Sequence, residues 1–481
     1  MKSSRISFTS ASTKPFATAQ DKEALGQVGT NASPVLPNDD EIAFEDDDVP
    51  PVSSTLASGI VKLPEDKFSS IEHVGIGTIA LKTFFETHEV LDHQLRTAGL
   101  YDSTTGQMKL SDSLWLTGGQ VVALAGDFYG IPKEPISFGV DDKQKRKRFR
   151  NAYRTLSGAD GNEVKKLLEE IEEERQDILK AVRSGKKPSI GLERHSGKGN
   201  RHYSKITQYT FLPFSFLYSR YIDLAKMNYD HFSEQAKEAL RAGYLVAIKT
   251  ARKAAVASSD QERLEGLMLA FTRILFACHF FTDLFSSGHM RTPRKALLEY
   301  VHKNSSGKVA GGTIAGLLTM SMHDEDNAQG LYVCSDAYPE GWKAYGDHCF
   351  YDVDNRDNAS CAHEAVTKIL EEIYQAYLNP NNEPTFAYEK YLPRVAMDNR
   401  NSNPLFKVER DTVKRRKDID DLLSDEYIGD WSPVKTLAAL KTRRKFSQME
   451  NTISDEDRRL LEDELEDLAL TPDEEVHYRR M

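Results

Sequence analysis

Between Ala277 and Arg294 the chain reads Ala-Cys-His-Phe-Phe-Thr-Asp-Leu-Phe-Ser-Ser-Gly-His-Met-Arg-Thr-Pro-Arg, and three of these side chains are good metal ligands. His279 and Asp283 are four residues apart, so on a helix both leave one face, one turn from each other. They end an apolar run, Leu267 to Phe271 and Ile274 to Phe276, where even a neutral polar group without a partner costs roughly 2 to 7 kcal/mol. A cation is the strongest such partner. Ser286, Ser287 and Gly288 then stop the helix, because glycine suits the left-handed cap, and Pro293 prevents it from resuming. That turn swings His289 back beside the first pair. A lone histidine on an apolar helix is more often a core residue bonded to a carbonyl. Three metal-competent groups in eleven residues reverse that weighting, and imidazole with carboxylate suits zinc better than magnesium, which prefers oxygen shells.

Other segments carry the same residue types. In Gly126-Asp127-Phe128-Tyr129-Gly130 two glycines let the backbone turn sharply, leaving Asp127 to point inward or to bond nearby amides. His231 falls on the first turn of a helix beginning near Ser233. The helix Thr313 to Met322 ends in His323-Asp324-Glu325-Asp326-Asn327, and Asp326 shares a face with His323. His88 lies in Glu86-Thr87-His88-Glu89-Val90-Leu91, a plausible helix start with Thr87 as cap.

The spacing His279-x3-Asp283-x5-His289, with its flanking Phe-Thr-Asp-Leu-Phe-Ser-Ser-Gly-His-Met-Arg-x-Pro-Arg, resembles the central ligand motif of the zinc-dependent phospholipases C, in the branch found in bacteria and some fungi. The resemblance covers roughly Glu72 to Tyr377. It implies an all-α fold, a single large helical domain holding two to three Zn2+ ions. His231, His279 and Asp283 would supply one ion, His289, His323 and Asp326 its neighbour, and His88 a third site. Asp127 would be the general base for a water attacking phosphorus, between ions about 3.5 to 4 Å apart. The implied substrate is a membrane phospholipid such as phosphatidylcholine, cleaved to diacylglycerol and a phosphorylated headgroup. Two departures stand out. The glutamate that the family places four residues after the last histidine is Asn327 here, and the family's N-terminal tryptophan has no counterpart, because Trp115, Trp342 and Trp431 are internal.

Composition narrows the alternatives. The 481 residues carry a net charge of -11 and are 39% hydrophobic, which disfavours nucleic acid as a partner. No apolar run reaches the length of about eighteen residues expected of a membrane span, and no apolar block follows Met1-Lys2-Ser3-Ser4-Arg5. The expectation is a protein that is cytoplasmic or exported by a signal-independent route, peripheral at membranes. Cys278, Cys334, Cys349 and Cys361 show no Cys-x2-Cys spacing, which disfavours a zinc ribbon and a disulfide framework. Competing readings are a single-strand zinc nuclease or nucleotidase, a phosphohydrolase built on His323-Asp324, and a non-catalytic helical effector or scaffold.

The elements that must position these residues are expected as follows. Residues 1–65, rich in Ser, Thr, Pro and Asp, lack the apolar content to order. Residues 66–378 form the helical catalytic domain, and 379–481 a linker and a charged helical extension whose tail offers a surface to a protein partner. That tail, beyond residue 450, is expected to be dispensable for a soluble substrate. Within the domain, Ile71 to Gly130 reads as helical. Asp141 to Arg148 reads as a solvated charged face, with anionic lipid as the functional alternative. Asn162 to Val182 is an amphipathic helix, followed by a loop to Ser204. Tyr209 to Tyr218 is buried core or a wall for acyl chains. His348 and His363 read as surface or outer positions.

Overall fold

The computed structural model describes residues 69–209, 219–304, 308–443 and 451–468. The N-terminal segment 1–65, residues 210–218 of the aromatic stretch and the end of the tail lie outside the described residues. The first helix, α1 (Ser70–Thr87), opens on a capping box in which Ser69 N donates to Glu72 Oε2 at 2.8 Å. It ends where a helix start was expected: Thr87 closes it, and α2 (Glu89–Thr97) begins after His88.

The helical expectation for Ile71 to Gly130 fails at Tyr101. There β1 (Tyr101–Asp102), β2 (Gln107–Ser111) and β3 (Leu114–Thr117) form an antiparallel sheet with Met108 paired to Tyr101 and to Leu116. Leu114 and Leu116 face the core while Trp115 and Thr117 face outward, the period of two that a short strand requires. Thr117 then caps α3 (Gly118–Leu124). Next come α4 (Asp142–Ser157), α5 (Gly161–Arg183) and α6 (Pro188–Ile206). The expected loop up to Ser204 is thus a helix. Pro188 starts it, in the first turn where its missing N–H is not needed. Side chains tie it to α5: the Tyr203 hydroxyl donates to Glu174 at 2.6 Å, and His195 lies between Glu170 and Asp177.

After α7 (Arg220–Lys226) and a 3-10 turn at Tyr229–His231 come α8 (Ser233–Ala255), α9 (Asp260–Asp283), α10 (Ser287–Met290), α11 (Arg294–Asn304) and α12 (Lys308–Gln329). The chain continues through β4 (Leu331–Cys334) and β5 (Trp342–Ala344) to α13 (Arg356–Leu378). Helix α9 is the axis of the molecule, with α1, α3, α8 and α13 packed around it. By length and composition it is apolar enough to cross a membrane, but 72% of its most apolar window is buried inside the protein. An apolar circumference of this kind also marks a helix wrapped by other helices.

Residues after Leu378 are no loose appendage. Strand β6 (Arg394–Val395) joins β4, giving the order β5-β4-β6, and β7 (Phe406–Glu409), β8 (Thr412–Arg416) and β9 (Tyr427–Ile428) form a third antiparallel sheet. With α14 (Pro433–Lys441) they build a second apolar core in which Leu405, Phe406, Val413 and Trp431 meet Leu297 of α11 and Leu318 and Met322 of α12. Arg416, fully buried, makes a two-pronged pair with Glu325 of α12 at 2.7 and 2.9 Å. The last described helix, α15 (Asp455–Glu466), packs on α5, where Leu465 O accepts from Arg175 Nη1 at 2.7 Å. The expected all-α class is therefore mostly helical with three small antiparallel sheets.

Candidate metal centre

The last two turns of α9 present His279 and Asp283 into the interior, and the turn Leu284 to Ser286 leads into α10, which carries His289. The 3-10 turn before α8 adds His231. Asp283 Oδ2 lies 2.9 Å from His231 Nδ1 and 3.9 Å from His279 Nε2, and the two imidazole nitrogens are 3.3 Å apart. Beside this group stands a second. Asp347 Oδ2 lies 2.8 Å from His323 Nε2 and 3.4 Å from His289 Nε2. A third joins His73 and Asp127 to His279, and Asp283 Oδ1 is 3.6 Å from His73 Nε2. In each group the ligand atoms lie within 4.8 Å of one another, and every member is buried.

The imidazoles are held by their other edge. His279 Nδ1 bonds Val122 O of α3 at 3.0 Å, and His289 Nδ1 bonds His231 O at 2.9 Å. A carbonyl only accepts, so both rings donate from Nδ1 and turn Nε2 inward, the edge a metal would take. His73 Nδ1 meets the Thr282 hydroxyl at 2.8 Å, and His323 Nδ1 lies 3.2 Å from Asp324 Oδ1. Phe232 stacks flat on His289, with ring centres 4.5 Å apart. Ser286 Oγ donates to Asp347 Oδ1 at 2.6 Å.

Electrostatics fit a cation. Burial pushes His279 down to about 4, against the pull of Asp283 and Asp127, and it holds His73 well below the ordinary imidazole range. Both are neutral, as ligands must be. Burial pushes the Asp283 carboxyl up to about 6, the mark of a buried carboxylate short of positive charge. Around Asp347 burial works against ionisation, yet the His289 and His323 imidazoles hold it well below the carboxylate range. His323 is driven up to about 10: burial opposes its charge, but Asp347 and Asp324 outweigh that, so a proton there does what a cation would do. Asp283 Oδ1, 3.6 Å from His73 Nε2, makes no hydrogen bond among the described residues. Buried polar atoms are rarely left so, and this one faces the other groups.

Of the residues expected from sequence, Asp127, His231, His279, Asp283, His289 and His323 come together. His88 does not. It ends α1 about 22 Å along the axis from His73 at 1.5 Å per residue, its ring stacked on Phe84 and its Nδ1 against Phe84 O at 2.8 Å. The imidazole that α1 contributes is His73, at the buried end. Asp326 also stays outside, because Arg291 grips both its oxygens at 2.9 and 2.7 Å. Asp347 takes the place expected of Asp326. Asn327 receives the Gly288 N–H at 2.8 Å and fills the space between Gly288, Gly346 and His323. His73 had a readable signal, an imidazole in the first turn of an apolar helix opened by Ser69-x-x-Glu72. Asp347 had only its neighbours, Gly346 and His348.

One side chain ties these two together. The fully buried Glu72 accepts from Ser69 N at 2.8 Å, His348 N at 3.1 Å and Phe350 N at 2.8 Å. It thereby clamps α1, which carries His73, to the loop that carries Asp347. The loop needs holding, because His348 adopts φ +71°, uncommon for a side chain other than glycine.

Gly126 is as constrained. At φ +66° its added Cβ would lie 2.4 Å from His279 Nε2 and 3.2 Å from His231 Cε1. Gly126→Ala is expected to lower stability by about 1 to 3 kcal/mol and to reduce bound metal, read by urea unfolding and elemental analysis. A variant with full metal content would show that the centre does not use that face of His279. A further group, Glu170, Glu173 and His202, already has its positive charge: Lys198 pairs with Glu173 at 2.5 Å and His195 with Glu170 at 3.2 Å.

A small cleft of about 30 Å³ opens beside Gly126 and His231, walled by Ile131, Ile136, Leu224 and Phe280 together with Glu134 and Asp230. Compared with family models, with curated proteins and with solved structures, the chain matches none.

Proposed function

We propose that the chain is a metal-dependent phosphodiester hydrolase, a zinc phospholipase C that converts glycerophospholipid to diacylglycerol and a phosphorylated headgroup. The observation behind this reading is the set of three adjoining buried His/Asp groups, two of which share His279 and meet at Asp283. A lone structural zinc needs four ligands; eight converging donors fit a multinuclear centre. When bound, such ions lower the pKa of water to about 7 and offset charge on phosphoryl oxygens. His231, His279 and Asp283 would hold one ion, and His289, His323 and Asp347 a second. His73, with Asp127 and one edge of Asp283, would hold a third. Asp127, facing both His73 and His279, orients the attacking water and takes its proton. The spacing from His279 to His289 is shared with single-strand zinc nucleases and does not separate lipid from nucleotide; the net charge of -11 favours lipid.

The test is diacylglycerol release from mixed phospholipid vesicles by wild type and His279→Ala, with and without chelator. Release that needs metal, about two to three zinc ions per chain, and vanishes in the variant supports the reading. Nucleotide release from single-stranded DNA without diacylglycerol would replace it by a nuclease, and a metal-free, inactive protein by a scaffold.

A further inference from the structure

Helix α4 carries seven basic side chains against one acidic, Asp142, in a protein whose net charge is -11. Their placement is not uniform. Lys143, Arg146, Lys147, Arg150 and Arg154 recur at i, i+3, i+4, i+7 and i+11, which puts them along one stripe of the helix. Phe149, Ala152, Tyr153 and Leu156 turn into the core instead. Lys143, Lys147 and Arg154 are exposed. Of the acids near the stripe, Asp141 caps the helix through Gln144 N at 2.7 Å and Glu238 pairs with Lys145 at 3.1 Å, while Asp142 is exposed at its first turn. At the C-terminal half the positive charge accumulates. The Arg273 guanidinium is depressed by burial and then by Arg150 and Arg154 beside it, with only Tyr153 opposing.

The opposite face of α4 borders the cleft. Pro135 and Ile136 line that cleft, Arg148 Nη1 donates to Pro135 O at 2.8 Å, and Ala152 of α4 forms part of its wall. Just before the helix stands Val140, 88% exposed, an apolar side chain at the start of a cationic face. Basic residues spaced along one helix face with an apolar side chain at its edge are what an anionic leaflet attracts.

We infer that this face of α4, with Val140 at its tip, docks on an anionic lipid bilayer. The inference rests on the phospholipase reading for its purpose, though not for its measurement. Each basic residue near a charged leaflet contributes about a fivefold gain in partitioning, and salt screens it.

The experiment is sedimentation of the full chain with vesicles of phosphatidylcholine alone or mixed with phosphatidylserine, beside hydrolysis of a short-chain phosphatidylcholine below its micellar concentration. Wild type is expected to bind the mixed vesicles, to release them in high salt, and to bind neutral vesicles weakly. The combined variant Lys143→Gln, Arg146→Gln and Lys147→Gln is expected to bind mixed vesicles ~100-fold more weakly while hydrolysing the soluble substrate at the wild-type rate. Equal binding by variant and wild type, or no preference for the acidic lipid, overturns the inference. So does tighter binding to single-stranded RNA than to acidic vesicles, which would make the stripe a nucleic-acid face. If both proteins bind as expected but neither cleaves the soluble lipid, the docking face stands and the phospholipase reading falls.

Discussion

Asp283→Asn is expected to release most of the bound metal and to lower hydrolysis on the order of a thousandfold. Its two oxygens face different groups, Oδ2 towards His231 at 2.9 Å and Oδ1 towards His73 at 3.6 Å. An amide keeps one neutral oxygen and turns an N–H2 donor towards the other side, where it repels a cation. Lost activity from misfolding would look similar, and pH separates the two. In the metal-free protein burial raises the Asp283 carboxyl to about 6 from a usual 3.8. An acid raised on folding contributes stability below its unfolded pKa and loses it as pH rises through its folded one. Metal-free wild type should therefore weaken by about 3 kcal/mol between about pH 4 and pH 8 through this group. The asparagine variant should lack that loss, and with chelator present should be the more stable protein at the upper pH. Urea midpoints across the range, with elemental analysis, decide it: a variant that keeps its metal is incompatible with Asp283 at the meeting point of the groups.

Asp347→Asn and Asp326→Asn should part company. The first is expected to remove one ion per chain and to cost at least a hundredfold in rate, because Asp347 is the carboxylate between His289 and His323. The second should leave metal content unchanged and lower stability by about 3 kcal/mol, because it takes a buried partner from Arg291. Should Asp326→Asn lose the ion and Asp347→Asn keep it, α12 would supply both the acid and His323 to the second group.

What was legible came from local arithmetic. Spacing of four on a helix places His279 beside Asp283, and a glycine-bounded turn returns His289; neither depends on the rest of the chain. The apolar load of Leu267 to Phe276 likewise announces a helix surrounded by protein. Less legible were segments where local signals mislead. Pro188 looks like a stop but starts α6, and the strands from Tyr101 to Thr117 are too short to show a period. His88 and His73 sit at opposite ends of one helix, and only burial distinguishes them.

The chain by itself determined that a helix buried on every side would carry an imidazole and an acid on one face with a second imidazole around the corner, since side-chain direction follows from backbone periodicity. Tertiary structure alone decided which distant groups close the shell. Asp347 enters because Glu72 binds the amides of His348 and Phe350 across most of the chain, and Asp326 is excluded because Arg291 reaches it first. Both choices are made by hydrogen bonds and ion pairs between segments that no spacing rule connects.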